Sequence, residues 1–212
     1  MRTDDLIAGL AADNGWRARP VWLWLLAAMI AALPLSGSLF MMSLGVRPDI
    51  GTAMHSPFFD FKFVITIALA SAAAALSLHL SRPEASLRGW IWLLAVPAGL
   101  LGIGIAADFA VHQRSGWISR LTGTNSMVCM TSIPLLSLPL LAAALLTLRR
   151  GATTRPAITG AFAGLMSGGV AATLYAMHCG DDSPLFVATW YTLGFAMIAA
   201  IGALAGRRLL RF

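Results

Sequence analysis

The chain reads as an all-α polytopic membrane protein: a six-transmembrane-helix bundle with both termini on the cytoplasmic side. Three observations predict this. The sequence is 58% hydrophobic and 11% charged with a mean hydropathy of +0.77, well outside the range of soluble domains. It contains six apolar runs of about 18 to 23 residues, each long enough to cross a hydrocarbon core of ~30 Å. Its arginines segregate between alternate connecting segments. Inside lipid the backbone must satisfy its own hydrogen bonds, and no membrane-strand alternation is present, so each span is expected to be helical.

Residues 1–21 form a cytoplasmic segment. The stretch Met1 to Asp13 predicts a short amphipathic helix, with Thr3 or Asp4 as N-cap, acidic residues in the first turn, and Leu6, Ile7 and Leu10 on one face. A helix that lies on a bilayer usually carries a basic polar face. Here the residues flanking the ridge are Asp4, Asp5 and Asp13, which favours a docking helix that offers its apolar ridge to a protein partner.

The transmembrane domain occupies residues 22–206, with spans expected near Trp22–Met42, Phe58–Leu80, Trp90–Ala107, Met127–Leu148, Ala157–Met177 and Leu185–Ala205. The first apolar run is longer than the ~7–15 residues of a signal-peptide core, so it reads as a signal anchor. Trp16, Trp22 and Trp24 mark its cytoplasmic interface, and Trp90 and Trp92 mark that of the third span. Asp60 and Lys62 fall at the outer mouth of the second span, where they are expected to snorkel towards the headgroups. The longest external loop, Asp108 to Ser126, carries His112, Arg114, Trp117 and Arg120. Pro134 and Pro139 fall inside the fourth span, so that helix is expected to bend, with freed carbonyls served by neighbours such as Ser137. Residues 207–212 form a basic cytoplasmic tail facing anionic lipid.

Orientation follows from the arginines. With both termini inside, the cytoplasmic side collects Arg2, Arg17, Arg19, Arg82, Arg88, Arg149, Arg150, Arg155, Arg207, Arg208 and Arg211, against Arg47, Arg114 and Arg120 outside. This is a strong positive-inside bias. It also accounts for the net charge of +6 through topology and contact with the bilayer. No basic segment is long enough to track phosphates, so no direct nucleic-acid partner is expected.

The fifth span and the corner after it organise the chain. Gly160, Gly164, Gly168, Ala172 and Ala176 recur every four residues, a smooth stripe along which another helix can approach closely. The stripe leads to the polar corner Met177-His178-Cys179-Gly180-Asp181-Asp182-Ser183-Pro184. Cys179 is one of two cysteines; the other, Cys129, opens the fourth span. By this topology both thiols lie at periplasmic ends of spans. Three readings stay open on residues alone: two unrelated buried thiols, a permanent bridge, or a pair that responds to oxidant or transiently holds a soft metal. In the last case His178, Met127 and Met130 are the neighbouring donors.

An enzyme is not expected: no grouped Ser, His and Asp and no zinc signature occurs. No cofactor is expected either, since His79 lies at the cytoplasmic side and His55, His112 and His178 lie outside, none of them mid-membrane. The alternative function is a small membrane transporter or metal-handling protein, although no ionisable residue sits mid-span to mark a coupling site.

The residues resemble the negative regulator of sigma F family of membrane anti-sigma factors (NrsF-type, OsrA-like) over nearly the whole chain. The likeness is carried by Arg2-Thr3-Asp4-Asp5-Leu6-Ile7, Leu44-Gly45-Val46-Arg47-Pro48-Asp49, Cys129 with Ile133-Pro134 and Leu136-Ser137-Leu138-Pro139, Arg155-Pro156, and the glycine stripe. It continues through Tyr175-Ala176-Met177-His178-Cys179, Trp190-Tyr191 and Gly206-Arg207-Arg208-Leu209-Leu210-Arg211. The ending in Phe212, where the family pattern calls for Trp, is a mild departure. The resemblance implies an inner-membrane protein that sequesters an extracytoplasmic-function sigma factor. Asp4, Asp5, Leu6, Ile7 and Leu10 would then be docking residues. It further implies that Cys129 and Cys179 are sensor thiols for oxidants or heavy metals.

Overall fold

The computed structural model describes residues 3–12, 20–112 and 116–211. Among these described residues six helices are long and apolar enough to cross a bilayer, the architecture of a multi-pass membrane protein. The first helix, α1 (Thr3–Ala12), stands before them. Thr3 and Asp4, the expected cap positions, both lie within it.

The first two spans are α2 (Val21–Ser43) and α4 (Pro57–Leu80), with the short α3 (Ile50–Ala53) in the loop between them. The third span enters through a 3-10 turn at Trp90–Leu94 and continues as α5 (Ala95–Val111). What the sequence presents as a long loop contains a further helix, α6 (Trp117–Thr122), followed by the fourth span α7 (Ser126–Leu148). The fifth span is α8 (Pro156–Ala176). The sixth is built in three pieces: α9 (Pro184–Phe186), a π-helical turn at Val187–Tyr191, and α10 (Thr192–Leu209).

The start of α2 and the end of α10 share one end of the bundle: Val21, Leu25, Leu148 and Leu210 pack in the same apolar cluster. The corner after α8 lies at the other end. Helix α7 runs unbroken through Pro134 and Pro139. Ser137 donates to the Ile133 carbonyl at 2.5 Å and Ser36 of α2 donates across to the Leu136 carbonyl at 3.0 Å. Ser137 thus serves a carbonyl in its own helix other than the two that the prolines free.

Helix α8 is the most buried of the six spans. Its glycines explain why. A Cβ on Gly164 would lie 2.9 Å from the Ala199 Cα, and one on Gly160 would lie 2.9 Å from the Gly206 Cα, each also striking a carbonyl of α10. Gly202 and Gly206 return the contact from α10. Gly168 fits against the Ile198 and Phe195 side chains, Ala172 is buried, and Gly169 meets the Thr66–Ala70 backbone of α4. Close backbone approach through small residues is what holds helices together where lipid supplies no hydrophobic drive.

Candidate functional site

The candidate site is the corner end of the bundle, where four elements meet around Cys179. Cys129 lies in the first turn of α7, its N–H donating to the Asn125 carbonyl at 2.8 Å. Cys179 lies three residues past α8, its N–H donating to the Tyr175 carbonyl at 3.0 Å. Both are free thiols, fully buried, in one cluster with Tyr175, Phe186, Tyr191 and Phe195. The fold therefore brings together two cysteines that are 50 positions apart in the chain. Burial pushes the Cys179 thiol above its ordinary range, while the nearby Lys62 charge opposes that shift.

The corner is held by charge. The Asp181 carboxylate accepts from the Thr124 and Asn125 N–H groups at 3.0 and 2.9 Å and from Asn125 Nδ2 at 3.1 Å, capping the approach to α7. The neighbouring Asp182 turns to other elements. It pairs with Lys62 of α4 at 2.6 Å and with Arg47 of the α2–α3 loop at 3.1 Å. Both cations also donate to the Cys179 carbonyl, Lys62 at 3.0 Å and Arg47 at 3.3 Å. Arg47 grips Asp49 with two bonds of 2.7 Å. That hydrogen bonding raises the guanidinium above its ordinary value and holds the Asp49 carboxyl below its own. The Arg47 N–H donates to the Met177 carbonyl at 3.1 Å and His178 Nδ1 lies 3.0 Å from the Gly45 carbonyl oxygen, so the loop is stitched to the corner at two further points.

This placement corrects the reading of Lys62 as a snorkelling residue: it is 1% exposed and points inward to the corner. An ammonium inside a span is costly alone and needs a partner, and Asp182 is that partner. Asp60, by contrast, is exposed. Asp108 also departs from its expected place in a loop. It lies in the last turn of α5, 1% exposed, with Arg120 of α6 at 3.0 Å and His112 at 3.2 Å. A cleft of about 320 Å³ opens beside the corner, lined in part by Asp108, His112, Arg120, Asp181 and Asp182.

Of the residues expected near the thiols, Met127 is 68% exposed on the outside of α7, Met130 is half-buried outside the thiol cluster, and His178 is engaged with the α2–α3 loop. The methionines packed on the cluster are Met29 and Met177. Among the described residues no three His, Cys, Asp or Glu groups converge as a metal cage.

The expected docking residues lie on α1, apart from this site. Asp4 and Asp5 fall in its first turn, and both are exposed, as is Ile7 at 59%. Leu6 and Leu10 belong to the same helix, but their side chains lie outside the described residues.

Comparison with known proteins agrees along the full chain. The family model described as negative regulator of sigma F matches residues 10–212. The chain is 39% identical over 214 residues to the anti-sigma-F factor NrsF of Caulobacter vibrioides (strain NA1000 / CB15N), with 100% of both chains covered. It is 34% identical over 215 residues to the probable anti-sigma-F factor NrsF of Azospira oryzae (strain ATCC BAA-33 / DSM 13638 / PS), again with 100% of both covered. No solved structure matches it. The match over nearly the whole chain and the two full-length relatives make it a member of a family of regulators: the chain belongs to the negative regulator of sigma F (NrsF) family.

Proposed function

We propose that this chain is an inner-membrane anti-sigma factor that sequesters an extracytoplasmic-function sigma factor at the cytoplasmic face and releases it when periplasmic thiols meet an oxidant or a heavy metal. Full-length similarity to two anti-sigma-F factors supports the sigma-factor partner. The arginine bias supports cytoplasmic termini.

The observation that carries the sensing part is the convergence of Cys129 and Cys179 in one buried cluster. Cys129 belongs to α7 and Cys179 to the corner that follows α8, so a bond or a metal between the sulfurs changes how α7 sits against that corner. Helix α1 supplies the opposite pole. Its exposed acidic turn would complement basic sigma-factor residues, and Ile7 with the rest of the ridge would supply the apolar contact. Each tenfold change in sigma-factor occupancy requires a bias of about 1.4 kcal/mol between two bundle packings. The glycine contact between α8 and α10 is the route we favour for that bias, on spatial grounds.

Two measurements test this. Deleting residues 2 to 13 should release sigma-dependent transcription while the bundle still inserts; unchanged repression rejects α1 as the docking element. Cys129→Ser with Cys179→Ser should abolish induction by oxidant or cadmium. A normal response in that double variant rejects the thiols as sensors.

A further inference from the structure

The chain contains two cysteines and two tyrosines among its 212 residues, and all four are buried in the same cluster with no exposed surface. The tyrosine rings are 5.8 Å apart. Tyr175, from the last turns of α8, donates its hydroxyl to the Asn125 carbonyl at 3.4 Å, the same carbonyl that accepts the Cys129 N–H. The Tyr191 hydroxyl is buried in the same cluster as Cys179 and has no hydrogen-bond partner among the described residues.

That orphan hydroxyl calls for an explanation. A buried hydroxyl without a partner is unfavourable, and phenylalanine fills the same volume without it. The ring neighbours Phe186 and Phe195, each 6.3 Å away, are phenylalanines. The local backbone is also irregular: Tyr191 closes the π-helical turn of the sixth span, a distortion that recurs where a helix must re-aim a side chain at a functional site.

We propose that Tyr191, seconded by Tyr175, is a positioning residue of the thiol pair, whose hydroxyl donates a hydrogen bond to the Cys179 sulfur once that sulfur carries negative charge. This rests on the reading of the thiols as the responding groups. Sulfur reacts with electrophiles and soft cations as the thiolate, and an anion in an apolar pocket must be met by donors. A phenol suits this role because it is neutral while the thiol is at rest, and its hydrogen bond strengthens when the acceptor becomes charged. The Lys62 ammonium is already committed to Asp182 and to the Cys179 carbonyl. Tyr175 is shared with Asn125, which leaves Tyr191 as the donor in reserve.

The test uses the full chain in membrane vesicles carrying Cys129→Ser, so that Cys179 is the single thiol, with iodoacetamide as the neutral probe. The Cys179 sulfur forms a bond to carbon, iodide leaves, and the thiol proton passes to solvent. Tyr191→Phe should slow this alkylation about tenfold, and Tyr175→Phe should slow it less. Growth on 3-fluorotyrosine, whose O–H is a stronger donor, alters only the two tyrosines and should accelerate it without removing the ring. An unchanged or faster rate in Tyr191→Phe, or no response to fluorotyrosine, overturns the proposal. A larger effect of Tyr175→Phe than of Tyr191→Phe overturns the assignment to Tyr191. These rates are read without any sigma factor, so they separate failure of this inference from failure of the sensor reading, which the transcriptional response of the cysteine variants decides.

Discussion

The Lys62 ammonium donates to the backbone carbonyl of Cys179 at 3.0 Å, fixing a residue of the second span to the peptide that carries a thiol 117 positions later. The same ammonium neutralises Asp182 at 2.6 Å. Replacing Lys62 with Met removes both interactions while keeping most of the buried length. Asp182 is 24% exposed and retains Arg47, so solvent and the guanidinium soften the loss. We expect a decrease of about 1–3 kcal/mol in stability, read as a lower melting temperature in detergent, with the Cys179 corner exchanging amide protons faster. An unchanged melting temperature would remove Lys62 from the clamp.

Gly164 and Gly180 are expected to behave in opposite ways. A methyl group on Gly164 enters the Ile198 carbonyl of α10, whereas one on Gly180 meets nothing within 4 Å. Gly164→Ala should destabilise by about 1–3 kcal/mol through overpacking, and Gly164→Leu should prevent the α8–α10 contact from forming. Gly180→Ala should fall within about 0.5 kcal/mol of the parent. Thermal melting of the three variants checks this, and equal effects would contradict the packing.

Cys179 gives the fold an alkaline limit. Burial holds its thiol above the ordinary range, so the folded state keeps the proton when the unfolded state loses it. The stability this contributes is fully present below the unfolded value of about 8.5 and is lost as pH rises from there through the folded value. Cys179→Ser should make the decline of melting temperature above that pH less steep. An identical decline with and without the thiol would refute the assignment.

Asp49 acts with the opposite sign. Arg47 holds its carboxyl below the usual range, so the contribution is present above the unfolded value of about 3.9 and disappears as pH falls through the folded one. The Gly45–His55 loop should therefore gain hydrogen exchange in acid. Asp49→Asn should show that faster exchange already at neutral pH.

The spans were legible in hydropathy because about twenty apolar residues in lipid admit little except a helix, and the second one starts at Pro57, one residue from its expected bound. Helix α6 escaped notice because Trp117–Thr122 is too short to display a period. The π-helical turn escaped for the same reason: over five residues its pattern does not separate from that of an α-helix. The glycine stripe on α8 was visible at its four-residue spacing. Its counterparts Gly202 and Gly206 share that spacing and were open to the same argument. Position in the span alone makes Lys62 a snorkelling residue, whereas the counter-charge it needs, Asp182, lies inward and is contributed by a distant part of the chain. The Asp181–Asp182 pair showed as a polar corner, but which carboxylate reaches which helix is decided by the tertiary fold.

Asp181 and Asp182 are neighbours in sequence yet are tied to different parts of the bundle, one to the head of α7 and the other to α4 and the α2–α3 loop. A single peptide unit thus works as a yoke. Displacing it slackens three tethers together rather than one after another. Disturbance at this spot consequently spreads to separate helices in one step, with no need for a relay of side chains between them.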